Sequence, residues 1–261
     1  MVKTPGLREG GTVMYVICFY WQGDRWQQYG YKEQEGRVNR QQHFIEKVGC
    51  VEDYLPAKYV NNLYKGVKRF TNKPFKFICF TNEPLKLNPD IEVRPFRMVT
   101  REGIIPRMYM FSREAGLFGH QVLCLDLDIV IVGSLKRIMD YDGLFCARSK
   151  FKMGEEWKLD GDIIGFRAGE ETENLLWNPF IKDVRWAEQV TGGRERYWFR
   201  RVVGDIADRW DQVAPKQIVS YKRHVRKNSD SPLPPAARIV SCHGTPRPHQ
   251  IQKEWIKQYW K

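Results

Sequence analysis

Apolar residues fall along this chain in short runs rich in β-branched and aromatic side chains, separated by amphipathic stretches and turn residues. Thr12 to Tyr20 reads as a first strand. Gly30 to Tyr54 is polar, mixed in charge and without a clear period, which predicts a surface insertion with some helix. After Pro56, the positions Val60, Leu63, Tyr64, Val67 and Phe70 recur at helical spacing, with Lys65, Lys68 and Arg69 off that face. Pro74 to Thr81 predicts a second strand and Ile91 to Pro95 a short third. That order, strand, helix, strand, strand, predicts an α/β fold with parallel pairing. Pro106 suits the first turn of a further helix, with Met108, Phe111, Ala115, Leu117 and Phe118 as its apolar face.

The next apolar run, Val122 to Leu135, is continuous except for Asp126 and Asp128. It reads as a strand buried on both faces. Residues two apart on a strand point the same way. Two carboxylates on one buried face repel and are poorly solvated, so the pair calls for a neutralising group, and a divalent cation with oxygen ligands is the simplest. The plainer reading is a pair of solvated turn residues at a strand end. Beyond it the pattern predicts a short helix at Lys136 to Met139 and strands at Leu144 to Ala147 and Asp160 to Arg167. Helices are predicted over Thr172 to Trp186, despite Pro179, and over the basic, aromatic Arg194 to Trp210. Strands at Gln217 to Lys222 and Arg238 to Cys242 flank a Pro-rich loop at 229–237, and Ile251 to Trp260 closes the chain as a helix. No internal repeat is found. The whole of 1–261 is expected to form one domain with a mixed, mostly parallel central sheet flanked by helices.

Composition sharpens the functional side. The net charge of +12 favours a polyanionic partner or an anionic substrate, such as a nucleoside diphosphate, nucleic acid or an anionic glycolipid head group. A solubilising surface charge is the bland alternative. Of the six cysteines, none forms a Cys-x-x-Cys pair, and five sit in apolar strand-like runs. They read as buried reduced thiols, not as a zinc site or a disulfide framework. No apolar run is long enough for a membrane span, and Met1 to Gly11 lacks the apolar segment of a signal peptide, so a cytoplasmic location is expected. Trp21 and Gly23 lie in the turn after the first strand, where open α/β sheets bind ligands. Gly23 permits a tight bend, and the indole suits either a nucleobase or the core. Arg107 falls in a predicted first helical turn, where the helix dipole disfavours a cation, which points to a partner anion.

The strand at Arg238 to Cys242 runs into His243-Gly244-Thr245-Pro246-Arg247-Pro248. A His-Gly-x-Pro-x-Pro segment far downstream of an apolar Asp-x-Asp strand resembles the GT-A glycosyltransferases related to glycosyltransferase family 8. The resemblance extends over Tyr59 to Tyr64, Pro74 to Thr81, Pro106 to Ser112, Leu125 to Leu135 and Val219 to Lys222. It implies a metal-dependent transferase that moves a sugar from a nucleotide donor, a UDP-sugar above all, with retention of anomeric configuration. It implies that Asp126, Asp128 and His243 hold Mn²⁺ or Mg²⁺, with Asp126 also near the ribose. Arg107 would approach the donor, and Gly244 and Arg247 would lie at the phosphates. A divalent ion and an arginine would stabilise the charge on the leaving diphosphate.

Two departures stand out. The family's asparagine-bearing, sugar-facing strand is matched by the stretch around Gly161-Asp162, and its Asp-Gln pair near the reacting carbon by the stretch Gly193-Arg194-Glu195-Arg196-Tyr197. Asp162 and Glu195 are therefore the candidate catalytic or sugar-facing groups. His249 replaces the usual tryptophan after the last proline.

Rival readings remain open at the level of sequence. Asp126-Leu127-Asp128-Ile129-Val130 also resembles the first motif of haloacid-dehalogenase-like phosphatases, with Gly204 to Asp208 as the later acidic motif; Asp126 would then be a nucleophile and Asp128 a general acid. A non-enzymatic nucleic-acid binder would use the basic runs at Arg194 to Arg201 and Lys222 to Lys227, interleaved with Tyr197, Trp198 and Tyr221. The readings combine in a transferase whose acceptor is a modified DNA base, flipped from the duplex, as against a saccharide or lipid-linked acceptor.

Overall fold

A computed structural model describes residues 13–21, 56–99, 105–226 and 232–261. The expected insertion at 30–54, Gly23 and Lys227 lie outside the described residues. Among these residues there are ten strands: β1 (Met14–Phe19), β2 (Phe75–Phe80), β3 (Ile91–Arg94), β4 (Gln121–Leu125), β5 (Ile129–Ile131), β6 (Phe145–Ser149), β7 (Leu159–Arg167), β8 (Asp208–Arg209), β9 (Ile218–Ser220) and β10 (Ile239–Ser241). Seven form one sheet in the order β3-β2-β1-β4-β7-β6-β8, and three form a second in the order β5-β10-β9. In the large sheet β1 pairs in parallel with β2 and β4, β2 with β3, and β6 with β8. Only β7 opposes its neighbours, pairing antiparallel with β4 and β6. The sheet is therefore mixed and mostly parallel, as the element order predicted.

Strands buried on both faces account for the near-continuous apolar runs. In β1, Val16 and Cys18 face one core layer with Tyr59, Val60, Leu63 and Val67 of helix α1 (Pro56–Phe70). Ile17 and Phe19 face a second layer with Phe111, Phe166, Trp198 and Phe199. Lys65, Lys68 and Arg69 lie on the exposed side of α1, as its period required. The Lys136–Met139 helix, α2, is also where the pattern put it. All five described cysteines are free and buried.

Several elements differ from the sequence reading, among them the expected Thr172 to Trp186 helix, which is divided into shorter helical pieces. The Val122 to Leu135 run is not one strand: it breaks at Asp126 to Asp128, so that β4 joins the large sheet and β5 the small one. The segment after Pro106 forms the 3-10 helix Ile105–Phe111 and a 3-10 turn at Arg113–Ala115. Every residue from Ile105 to Phe111 is buried, so this segment has no solvent face and no amphipathic period to report. The stretch expected as one helix over Arg194 to Trp210 stops as helix α4 (Glu195–Val202), one short helix after α3 (Val184–Thr191). It stops near Gly204, where a Cβ would meet the Arg200 carbonyl oxygen at 2.4 Å. A last helix, α5 (Glu254–Tyr259), is shorter than the predicted Ile251 to Trp260.

Candidate active site

The break between β4 and β5 builds the site. Ile129 N donates to Asp126 O at 3.3 Å, closing a turn that holds Asp126 and Asp128 between the two sheets. Two backbone bonds fix their surroundings. Asp126 N donates to Asp162 O at 2.9 Å, tying the turn to β7, and Cys242 N donates to Asp128 O at 3.1 Å, tying it to the end of β10. Because β9 and β10 are parallel, with Ser220 beside Ser241, the segments that follow them emerge at the same end. Asp126, Asp128, Asp162, His243 and Lys222 thus converge from four segments distant in sequence.

Arg107 is 4% exposed and reaches in from the 3-10 helix. Its Nη1 donates to Asp126 Oδ1 at 2.5 Å and Glu195 Oε1 at 3.3 Å, and its Nη2 donates to the Gly161 carbonyl at 3.0 Å and to Cys124 Sγ at 3.3 Å. The partner anions that its sequence position called for are these two carboxylates. Although burial alone lowers it, the charges of Asp126 and Glu195 and the neighbouring Cys124 hold the guanidinium firmly protonated.

Glu195, at the start of α4, is 1% exposed, and its Oε2 is buried with no hydrogen-bond partner among the described residues. Burial pushes its pKa up to about 7, against Arg107 and Arg196, which lower it. Gly161 makes room for it: a Cβ there would stand 2.7 Å from Glu195 Oε1. Burial also raises Asp126 above the ordinary carboxylate range, opposed by Arg107 and reinforced by Asp128, Asp162 and Glu195. The Asp126 side chain keeps 36% of its surface exposed, so water screens part of that effect.

Asp162 is held differently. Arg148, 2% exposed on β6, grips it with Nε to Oδ1 at 2.8 Å and Nη2 to Oδ2 at 3.0 Å. Ser241 Oγ adds a bond to Oδ2 at 2.6 Å, joining the two sheets. Arg148 Nη2 also reaches Asp160 Oδ2 at 3.0 Å, and Arg196 Nη1 reaches Asp160 Oδ1 at 3.1 Å. Neither Arg148 nor Ser241 was singled out from sequence. The available signal was the spacing Asp160-x-Asp162, two acids on one side of a strand that require a cation.

Arg247 pairs with Asp128 Oδ2, while Asp128 Oδ1 is buried without a hydrogen-bond partner among the described residues. His243 Nε2 and Ser220 Oγ are 2.9 Å apart, and the imidazole stacks on Phe151 with centroids 6.0 Å apart. Gly244 has a φ of +71°, the left-handed region that glycine tolerates. The structure thus gathers Arg107, Asp126, Asp162 and Glu195 on one side of the turn and Asp128, His243, Gly244 and Arg247 on the other. Trp21 is buried, 5% exposed, edge-on to Phe96 with centroids 6.2 Å apart. His249 bonds through Nδ1 to the Tyr59 hydroxyl.

Among the described residues, no three His, Cys, Asp or Glu side chains are gathered as a metal site. The donor set nevertheless fits a hard divalent cation. The partnerless Asp128 Oδ1 is a buried anionic oxygen, and Asp126 is raised by its carboxylate neighbours, both of which a cation would relieve. Of the aromatic residues interleaved with the basic runs, Trp198 is 1% exposed with Nε1 bonded to Leu176 O, and Tyr221 is buried against Trp255. Only Tyr197 of the three is exposed.

The fold is of the GT-A type, and the solved structures it matches include glycosyltransferases. Glycosyltransferase GlyE of Streptococcus pneumoniae matches with a TM-score of 0.59 at 13% identity, over 95% of this chain and 61% of that one. The galactosyltransferase LgtC, solved with donor and acceptor sugar analogues, matches with a TM-score of 0.55 at 12% identity, over 94% of this chain and 96% of that one. The bifunctional WbbM matches with a TM-score of 0.54 at 12% identity, over 96% of this chain and 50% of that one. This chain therefore spans 61% of GlyE and half of WbbM. No family model and no curated protein sequence matches the chain. No helix among the described residues is long and apolar enough to cross a membrane.

Proposed function

We propose that this protein is a metal-dependent glycosyltransferase that moves a sugar from a nucleotide donor, a UDP-sugar, to an acceptor with retention of anomeric configuration. The observation that carries this reading is the turn at Asp126 to Asp128, which sets two carboxylates beside His243 and Arg247 where two sheets meet on a glycosyltransferase fold. Asp126, Asp128 and His243 would hold Mn²⁺ or Mg²⁺, which would supply positive charge to the departing diphosphate. Arg247 and the backbone at Gly244 would bind the phosphates. Arg107 fixes Asp126 and Glu195 in place and keeps their charges compensated. On the sugar side we assign Glu195, whose buried Oε2 is a hydrogen-bonding atom in search of a partner. Asp162, with both oxygens engaged by Arg148 and Ser241, positions the neighbouring backbone that binds Asp126.

The acceptor follows less directly. LgtC is described with an acceptor sugar analogue, which supports a saccharide here. A DNA acceptor loses two of the three aromatic side chains offered for base stacking, since Trp198 and Tyr221 are in the core. The phosphatase reading gains nothing from the geometry: Asp126, its nucleophile, is bonded to a buried arginine. The test is turnover of UDP-sugars with Mn²⁺. Asp128→Ala is expected to abolish it while the protein stays folded, and full turnover by that variant would remove Asp128 from the metal site.

A further inference from the structure

Among the described residues three aromatic side chains are exposed: Trp157, Trp186 and Tyr197. Each carries a cation over its ring. Lys158 Nζ lies 5.0 Å from the Trp157 centroid, the Arg201 guanidinium 5.0 Å from that of Trp186, and the Arg200 guanidinium 4.8 Å from that of Tyr197. The three pairs are neighbours. Tyr197 and Arg201 are four residues apart on α4 and so share a face of it. Arg200 Nε donates at 2.8 Å to the carbonyl of Leu159, the residue after Lys158. The loop 150–158 that carries Trp157 is pinned in place. Glu155 pairs with Lys150, Lys152 and Lys158, and Arg209 Nη2 donates to the Trp157 carbonyl at 2.7 Å. Arg200 and Arg201 have no ion-pair partner among the described residues. The field here is positive: burial raises the Tyr197 phenol, but Arg194, Arg196 and Arg200 outweigh it and hold the group below its ordinary value. The row also adjoins the candidate site. Glu195 is the first residue of α4, Arg196 bonds Asp160, and Phe151 in the loop stacks on His243.

An exposed ring beside a cation suits a ligand that offers both a flat apolar face and an anion. A sugar ring bearing an acidic group offers both: the C–H bonds of one face lie on the aromatic plate, and the anion meets the guanidinium or ammonium. We propose that Trp157, Trp186 and Tyr197, with Lys158, Arg200 and Arg201, bind an acidic saccharide chain, and that this chain is the acceptor of the transfer proposed above. Its role as acceptor rests on the transferase reading; the binding surface rests on the residues themselves. Three pairs in a row fit a chain of several sugar units, and α4 leads from them to Glu195. A single strand of nucleic acid also offers flat rings and anions. The continuity of the row with Glu195 and Asp160 favours the saccharide.

The test is calorimetric titration of the full chain with octagalacturonate and with a heparin octasaccharide. Maltooctaose is the neutral control; polyglutamate and an oligothymidylate are polyanions that are not saccharides. The wild type should bind at least one acidic octasaccharide about tenfold or more tighter than maltooctaose, the worth of one charge-assisted contact. Arg201→Gln should weaken that binding by about the same factor. Trp157→Ala and Tyr197→Ala should each weaken it about threefold or more and leave polyglutamate unchanged, while Tyr197→Phe keeps the affinity. Thermal melts check that each variant is folded. No binding of either acidic octasaccharide, equal binding of maltooctaose, or wild-type affinity in both Trp157→Ala and Tyr197→Ala overturns the proposal. Tighter binding of oligothymidylate that falls in the same variants also overturns it, in favour of nucleic acid. If an acidic octasaccharide binds as predicted but no nucleoside diphosphate binds with Mn²⁺, the transferase reading falls and the surface stands. If UDP binds with Mn²⁺ and neither octasaccharide binds, the surface falls and the donor reading stands.

Discussion

Replacing Arg148 by methionine should be among the most damaging single changes in this protein, and the reason can be worked from the structure. The guanidinium is 2% exposed and bonds to both oxygens of Asp162, to Asp160 and to the Ser149 carbonyl. Methionine fills much of the same space, so the loss is electrostatic. Asp162, 6% exposed, would be left as a buried carboxylate with Ser241 as its remaining bonded partner. Breaking a buried pair from one side costs about 3–5 kcal/mol. At roughly 2–4 °C per kcal/mol for a protein of this size, the melting temperature should fall on the order of 10 °C. Removing the charge from both sides avoids the uncompensated ion, so Arg148→Met combined with Asp162→Asn should recover about half the loss or more. Scanning calorimetry of the two single variants and the double variant completes a mutant cycle. Additive losses, or a single-variant loss below about 1 kcal/mol, a value typical of exposed pairs, would refute the buried-pair account and return Asp162 to the role of a free, sugar-facing acid.

Other consequences can be read the same way. Gly161→Ala should cost about 1–3 kcal/mol, the range for overpacking, because its Cβ would press on Glu195 Oε1 at 2.7 Å with Phe199 close by; a chemical denaturation midpoint checks this, and pairing with Glu195→Ala should remove most of the cost. Glu195 has a folded pKa of about 7, above its unfolded value, so the native state keeps a proton that the unfolded chain gives up. Its ionisation therefore lowers stability as pH rises from about 4.5 to 7, by about 3 kcal/mol for a shift of this size. Glu195→Gln should flatten that part of the stability profile and be the more stable protein at pH 8. A profile that keeps its slope in the variant would assign the titration elsewhere.

Much of this architecture is legible in the chain because the strands are buried on both faces. Met14–Phe19 and Phe75–Phe80 are each written as short, dense apolar runs, and α1 as a clean helical period. The same density hides the break at Asp126. Leu125 and Ile129 are both buried, so the run looks unbroken although its halves belong to different sheets. The turn is marked only by the two acids, which were legible as chemistry before they were legible as geometry. Periodicity also fails at Ile105–Phe111, where burial on all sides leaves no polar face. The polar floor of the site was legible only in part. Asp162 and Glu195 stood out as carboxylates among glycines and arginines, but Arg148 and Ser241 meet the site through strand pairing between distant segments, which no local pattern encodes.

The most direct test of the central claim is thermal stabilisation of the wild-type protein by UDP, with and without Mn²⁺. A ligand that binds the native state alone raises the melting temperature by mass action, by about 2.7 kcal/mol of stability at a hundredfold excess over Kd. The account predicts a shift of several degrees with UDP and Mn²⁺ together, and little with either alone. No shift with UDP or any other nucleoside diphosphate in the presence of metal, alongside a clear shift with DNA, would contradict it.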